Sequence, residues 1–207
     1  MPNEPTIAYI FAFAGAVMLV LGIETARRLA PPPPVRSRYV SELGDPTRTP
    51  LLSVVVFKLA VTSGSLLVAV SELHSDPWPL RHAAAGLLIG VALVDLRRPR
   101  AHVLSVTAFF CVAPTFVLVR ATTFGGPLTF TLSVSFVLYL VKMLEALHSY
   151  QSNASGRFWQ RYYAALTDFS AESEHGHEVR QVEWPLVYLL AGLTAAPSID
   201  WFLRGIG

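Results

Sequence analysis

Residues 51–70, LLSVVVFKLAVTSGSLLVAV, form an almost unbroken apolar run of twenty residues. At about 1.5 Å of rise per residue, a helix of that length reaches across the roughly 30 Å hydrocarbon core of a bilayer. A helix at the surface of a soluble domain keeps a broad polar face toward water, and this run has none. The polar side chains it does carry are Lys58, Thr62 and Ser65, followed by Glu72, at offsets of 0, 4, 7 and 14. That spacing collects them on one helical face. An ionisable group in a spanning helix costs about 2.5 to 3.5 kcal/mol on insertion scales. The face is therefore expected to turn inward, toward partner helices or a wet cavity.

The remaining chain offers such partners. With 53% hydrophobic and 14% charged residues, it is too apolar for an ordinary soluble domain. Further apolar runs at 7–23, 80–96, 101–119, 127–147 and 184–203 join 51–70. Together they predict an all-α, polytopic integral membrane helical bundle of about six transmembrane helices, a single membrane domain over 1–207. Pro50, Pro79, Pro127 and Pro185 each precede the leucine that opens a run. Proline in the first helical turn loses no hydrogen bond, so these four mark helix starts. Residues 1–6 carry Glu4 as their only charge, unlike the basic start of a cleaved signal, so the first run reads as a retained span. The single cysteine, Cys111, excludes an internal disulfide. A net charge of +2 with scattered basic residues argues against nucleic acid as a partner.

Small residues predict where helices approach closely. Ala8, Ala12, Gly15 and Gly22 share one face of the first run, and Gly86 and Gly90 form a GxxxG pair with His82 one turn before it. Pro114 is expected to kink the fourth span. WPLRHAAAGL at 78–87 and WPLVYLLAGL at 184–193 share a spacing, each followed by an acid, Asp95 or Asp200. Such a pair is what a relic of a transporter-type inverted repeat would leave.

Two loops carry most of the charge. Residues 24–50 hold Arg27, Arg28, Arg36, Arg38 and Arg48 around four prolines at 31–34, and read as a stiff aqueous connection. Within 148–183, Phe158, Trp159, Tyr162, Tyr163, Leu166 and Phe169 share a face flanked by Arg157 and Arg161. They predict an interfacial amphipathic helix over 157–169. His175 and His177 lie beside Glu174 and Glu178, but without a fixed scaffold no metal is expected. Arg97, Arg98 and Arg100 mark the third basic connection. The positive-inside rule then puts these loops in the cytosol and both termini on the non-cytosolic side.

Thr131, Ser135, Lys142 and Glu145 form a second polar face at offsets of 0, 4, 11 and 14, expected to meet the first inside the bundle. Glu24, Lys58 and Asp95 are the candidate catalytic groups, because acid and base at similar depth could work beside an apolar cavity. His82, Arg120 and Asp200 are expected to cluster near the other membrane face. Three classes of function fit: a non-catalytic subunit or assembly scaffold, an intramembrane enzyme acting on a lipid or isoprenoid, and a small transporter or channel with a polar path around Lys58. No glycine-rich phosphate loop occurs, and His82, His102 and His148 are not spaced to hold haem, so no cofactor is expected. The expected partners are the lipid bilayer, other membrane proteins, and an apolar small-molecule or lipid substrate.

Overall fold

The computed structural model describes residues 4–30, 40–46, 49–71, 78–94, 99–124, 126–153 and 174–206. Among them lie six α-helices: α1 (Glu4–Leu29), α2 (Leu51–Val70), α3 (Trp78–Leu93), α4 (Pro99–Phe124), α5 (Pro127–Asn153) and α6 (Glu174–Ile206). A 3-10 turn at Val40–Gly44 lies between α1 and α2. The described chain is all-helical, a helical bundle. Four stretches are long and apolar enough to cross a membrane: Thr6–Leu29, Leu51–Val70, Pro127–Ala146 and Gln181–Gly205. Two shorter apolar helices, Pro79–Leu93 and Leu104–Phe116, accompany them. The outer surface carries exposed Leu51, Leu104, Phe130 and Leu21. Soluble monomers rarely expose apolar patches of this extent, and the bundle is compatible with a membrane protein.

Each helix packs on its neighbour in the chain, and α6 closes the ring by packing on α1. The α1–α2 contact is the closest. Leu51–Val70 starts cleanly because Pro50 precedes it with φ −57° and ψ 145°, an extended conformation that cannot continue a helix backwards. Along the contact, a Cβ on Gly15 would sit 2.8 Å from the Gly64 carbonyl oxygen, and one on Gly64 would sit 2.9 Å from that of Gly15. Only hydrogen fits there. One turn or two further on, Gly22 accommodates the Ala60 methyl, while Ala8 and Ala12 are buried on the same helix. The expected small-residue stripe of α1 is thus a packing surface. Ser53 closes the pair by donating to the Ala26 carbonyl at 2.8 Å.

α6 is tied to α1 near both ends of α1. At one, the Tyr188 hydroxyl donates to the Glu24 carboxylate. At the other, Ser198 donates to the Tyr9 carbonyl at 2.8 Å and Trp201 stacks on Tyr9 with ring centroids 5.1 Å apart. Phe136 and Met143 of α5 pack with Leu186 and Leu193 of α6 into one core cluster. A second cluster joins Leu19, Ile23, Phe57, Val61 and Ala191 with Val40 and Leu43 of the 3-10 turn.

Several expectations change. Val40, Leu43 and Asp45 are buried, so part of the 24–50 connection, read from the sequence as aqueous throughout, is a plug packed into one end of the bundle. Burying Leu43 outweighs keeping the turn in water, and Thr49 holds it by donating to the Asp45 carbonyl at 2.9 Å. Pro185 does not start its helix, since α6 begins at Glu174. Proline there forgoes one bond within the helix. Packing of Val182 and Trp184 on the two clusters, and the Glu183 carboxylate accepting from the Val40 N–H at 3.0 Å, hold the preceding turns helical. The GxxxG pair of α3 makes no comparable contact: nothing lies within 4 Å of a Cβ on Gly86, and only the Ser105 hydroxyl, at 3.7 Å, approaches Gly90. A further change concerns the two polar faces and is described with the site below. The amphipathic helix expected at 157–169 and the prolines at 31–34 lie outside the described residues.

Candidate functional site: an apolar cavity inside the helix ring

Within the ring of helices lies a partly open cavity of about 130 Å³. By the same measure a single water needs roughly 10–15 Å³, so the space equals on the order of ten waters. Its walls come from Leu19 of α1, Phe57 and Val61 of α2, Ala85 and Leu88 of α3, Phe109 and Ala113 of α4, and Val187 and Leu190 of α6, among others. Arg81 and Ala92 both line it, as do Glu183 and Thr194. Each pair is separated by eleven residues, so the slot runs for about 16 Å along the helix axes. The walls are apolar because the helices turn their alanines, leucines and aromatic rings to a common centre.

Four polar side chains interrupt those walls: Ser65, Arg81, Glu183 and Thr194. Arg81 is 2% exposed, and its Nη1 donates to the Ser71 carbonyl at 2.8 Å, at the end of α2. Glu183 stands toward the opposite end, beside Val40 of the plug. Thr194 donates to the Leu190 carbonyl of its own helix at 2.9 Å. Ser65 is 1% exposed, and its hydroxyl has no hydrogen-bond partner among the described residues.

The groups singled out from the sequence are dispersed around this slot. Glu24 accepts from Arg27, with Nε at 2.8 Å and an ion-pair contact at 2.7 Å, and also from Tyr188. Lys58 is half-buried at the border of the α2 core face, does not line the cavity, and no described residue forms an ion pair with it. Thr62 is half-buried beside it, and Ser65 alone of that face turns into the cavity. Asp95 and Glu72 lie outside the described residues, as does the side chain of Arg120.

On α5 the polar face points the other way. Thr131, Lys142 and Glu145 are exposed and Ser135 is half-buried, while Thr129, Ser133, Phe136 and Met143 form the buried face. α5 packs on α6 and α4, not on α2, so the two polar faces do not meet. The physical reason is local satisfaction. Thr131 donates to the Pro127 carbonyl at 2.8 Å and Ser135 to that of Thr131 at 3.0 Å, which removes their need for a partner helix. The Lys142 ammonium lies 5.4 Å from the Tyr139 ring centroid, within cation–π range. Phe136 and Met143 meanwhile pack with Leu186 and Leu193 of α6, a van der Waals gain that does not require exclusion from water.

The outer cluster also separates. His82 is exposed, whereas Asp200 is buried and caps α5 from α6. Its carboxylate accepts from the Thr129 hydroxyl at 2.7 Å, the Thr129 N–H at 3.0 Å and the Leu128 N–H at 3.3 Å. A carboxylate at a helix N-terminus satisfies otherwise unpaired N–H groups and meets the positive end of the helix dipole. Gly126 is required beside it, because a Cβ there would overlap the carboxylate. Sequence reasoning passed over Arg81 and Glu183. The signal for Arg81 was a lone arginine two residues beyond Pro79, inside an otherwise apolar helix.

No protein-family model matches the chain, and neither the curated proteins nor the solved structures yield a significant match.

Proposed function

We propose that this chain is a multi-pass membrane protein acting as a non-catalytic subunit or scaffold of a membrane system. The observation that carries this reading is the use of its acids as fasteners. Glu24 is engaged by Arg27 and Tyr188, linking α1 to α6, and Asp200 caps α5 from α6. An intramembrane hydrolase or isomerase would instead place two carboxylates at the end of its apolar slot. A transporter would need a polar path, whereas these walls are mainly alanine, leucine, valine and phenylalanine, with Lys58 outside them.

Complementation of a deletion in the native host, with abundance measured in parallel, tests the assignment. For Lys58→Met and Glu24→Gln, the phenotype is expected to follow the amount of folded protein. Loss of function at unchanged abundance would assign either residue to chemistry or transport and reject the scaffold reading.

We infer the orientation from loop charge: Arg27 and Arg28 close α1, and further arginines follow the third and fifth runs. Both termini are then non-cytosolic. A cysteine introduced at Ser155, in a Cys111→Ser background, is expected to resist an impermeant maleimide in intact cells and react after lysis. Labelling in intact cells would reverse the assignment.

A further inference from the structure

α5 is the span that the bundle covers least. Its apolar window, within Pro127–Ala146, is 22% buried, against 33 to 44% for the three other stretches of spanning length. The exposed side chains of α1 between residues 7 and 21, and of α2 between 51 and 70, are all apolar, as contact with acyl chains requires. α5 differs. Thr131, Leu138, Lys142 and Glu145 are exposed and Ser135 is half-buried, at offsets of 0, 7, 11 and 14 with the serine at 4. Steps of four and three residues in alternation keep one seam turned to a second helix, a period that acyl chains do not impose. Thr131 and Ser135 are satisfied within the helix, but among the described residues neither Lys142 nor Glu145 has an ion pair. Lys142 stands four residues, about 6 Å of rise, inside the end of the spanning stretch. Charged groups in spanning helices pair with one another.

We propose that this face of α5 docks on the same face of a second copy of the chain, with Lys142 of each copy paired to Glu145 of the other. Copies that share an orientation in a membrane are related by a two-fold axis along its normal, so their α5 helices run parallel and residues of equal depth meet. In a parallel seam of this period, a side chain enters a hole bounded by partner residues four before and three after its own position. For Lys142 these are Leu138 and Glu145 of the other copy. Two lysines and two glutamates then form a neutral quartet around the axis. A cation and an anion one turn apart make the face its own complement, whereas a different partner would have to supply both signs at matching depths. The inference rests on the scaffold reading in that it names what the scaffold holds. Association is read without an activity assay, so its failure leaves the complementation result standing.

A cysteine at Leu138, in the middle of the face, reports the contact. In a Cys111→Ser background, full-length Leu138→Cys in phosphatidylcholine vesicles is expected to form a disulfide-linked dimer on mild oxidation, whereas Leu21→Cys on the exposed face of α1 should stay monomeric. Lys142→Glu leaves two acids on the seam and Glu145→Lys two bases. Each, added to Leu138→Cys, should lower the linked fraction about tenfold, because like charges would face each other across the axis. Mixing the two should restore the fraction seen with Leu138→Cys alone, acidic seam against basic seam. A chain carrying both reversals keeps the pairing and should dimerise as Leu138→Cys does, which decides the matter if a single reversal does not fold. The proposal is overturned by a Leu138→Cys chain that stays monomeric, by equal linkage through Leu21→Cys, by a mixture that links no better than its components, or by a double reversal that does not dimerise. In native membranes, a linked product of any mass other than twice the chain's would overturn it too, by assigning the face to another protein.

Discussion

The α1–α2 contact and the face of α3 that carries Gly86 use the same residue vocabulary to opposite ends. In the first, Gly15 and Gly64 oppose one another so closely that a Cβ on either would meet the other's carbonyl oxygen at 2.8 to 2.9 Å. In the second, Gly86 has open space where a side chain would be. The difference is the face on which each glycine lies. Gly15 and Gly64 lie on the faces that α1 and α2 turn to each other, whereas Gly86 is exposed and lies off the face of α3, with Arg81, Ala85, Leu88 and Ala92, that lines the slot. Small residues bring helices together only where a second helix faces them.

Three substitutions would break or sharpen this contrast. The largest effect is expected for Gly64→Leu, because even a first carbon would lie 2.8 Å from Leu19 Cγ and 2.9 Å from the Gly15 oxygen. Overpacking typically costs about 1 to 3 kcal/mol and a backbone clash adds to it, so the monodisperse yield in detergent should fall at least about tenfold. Wild-type yield would mean that α1 and α2 can separate freely.

A smaller and more specific effect is expected between Gly22 and Ala60. Gly22→Ala should destabilise by about 1 to 3 kcal/mol, as an overpacked site does. Adding Ala60→Gly should recover most of it, a coupling that a double-mutant cycle in thermal or denaturant unfolding measures directly. Purely additive losses would show that the two positions do not touch.

The smallest effect, opposite in sign, is expected for Gly86→Ala. A helical glycine replaced by alanine where no atom intrudes gains about 0.5 to 1 kcal/mol. A drop in melting temperature would reveal a contact at Gly86 and restore the GxxxG reading of α3.

Much of the framework was legible before any coordinates. Apolar runs announced the helices, Pro50 and Pro127 marked two starts, and the period of Ala8, Ala12, Gly15 and Gly22 identified the close-packed stripe. Each of these signals is local, since helix length, a missing N–H and the size of a side chain act within the segment that carries them. Pro185 shows where such signals fail: the same residue that begins one helix lies within another when Val182 and Trp184 pack well enough to outweigh a lost bond.

The candidate site was much less legible. Periodicity established that Lys58 and Ser65 share a face of one helix and that Lys142 and Glu145 share a face of another. It could not say which way either face turns. That depends on which helices are neighbours and on whether a polar group can satisfy itself within its own helix, as Thr131 and Ser135 do. Sequence alone therefore determined an all-helical chain of apolar segments and the small-residue stripe of α1, because spacing and side-chain size are properties of a single helix. The tertiary structure decided that Asp200 caps α5, that Arg81 and Ser65 face a common cavity and that Lys58 does not. These are relations between helices, and only the ring that closes α6 onto α1 brings them about.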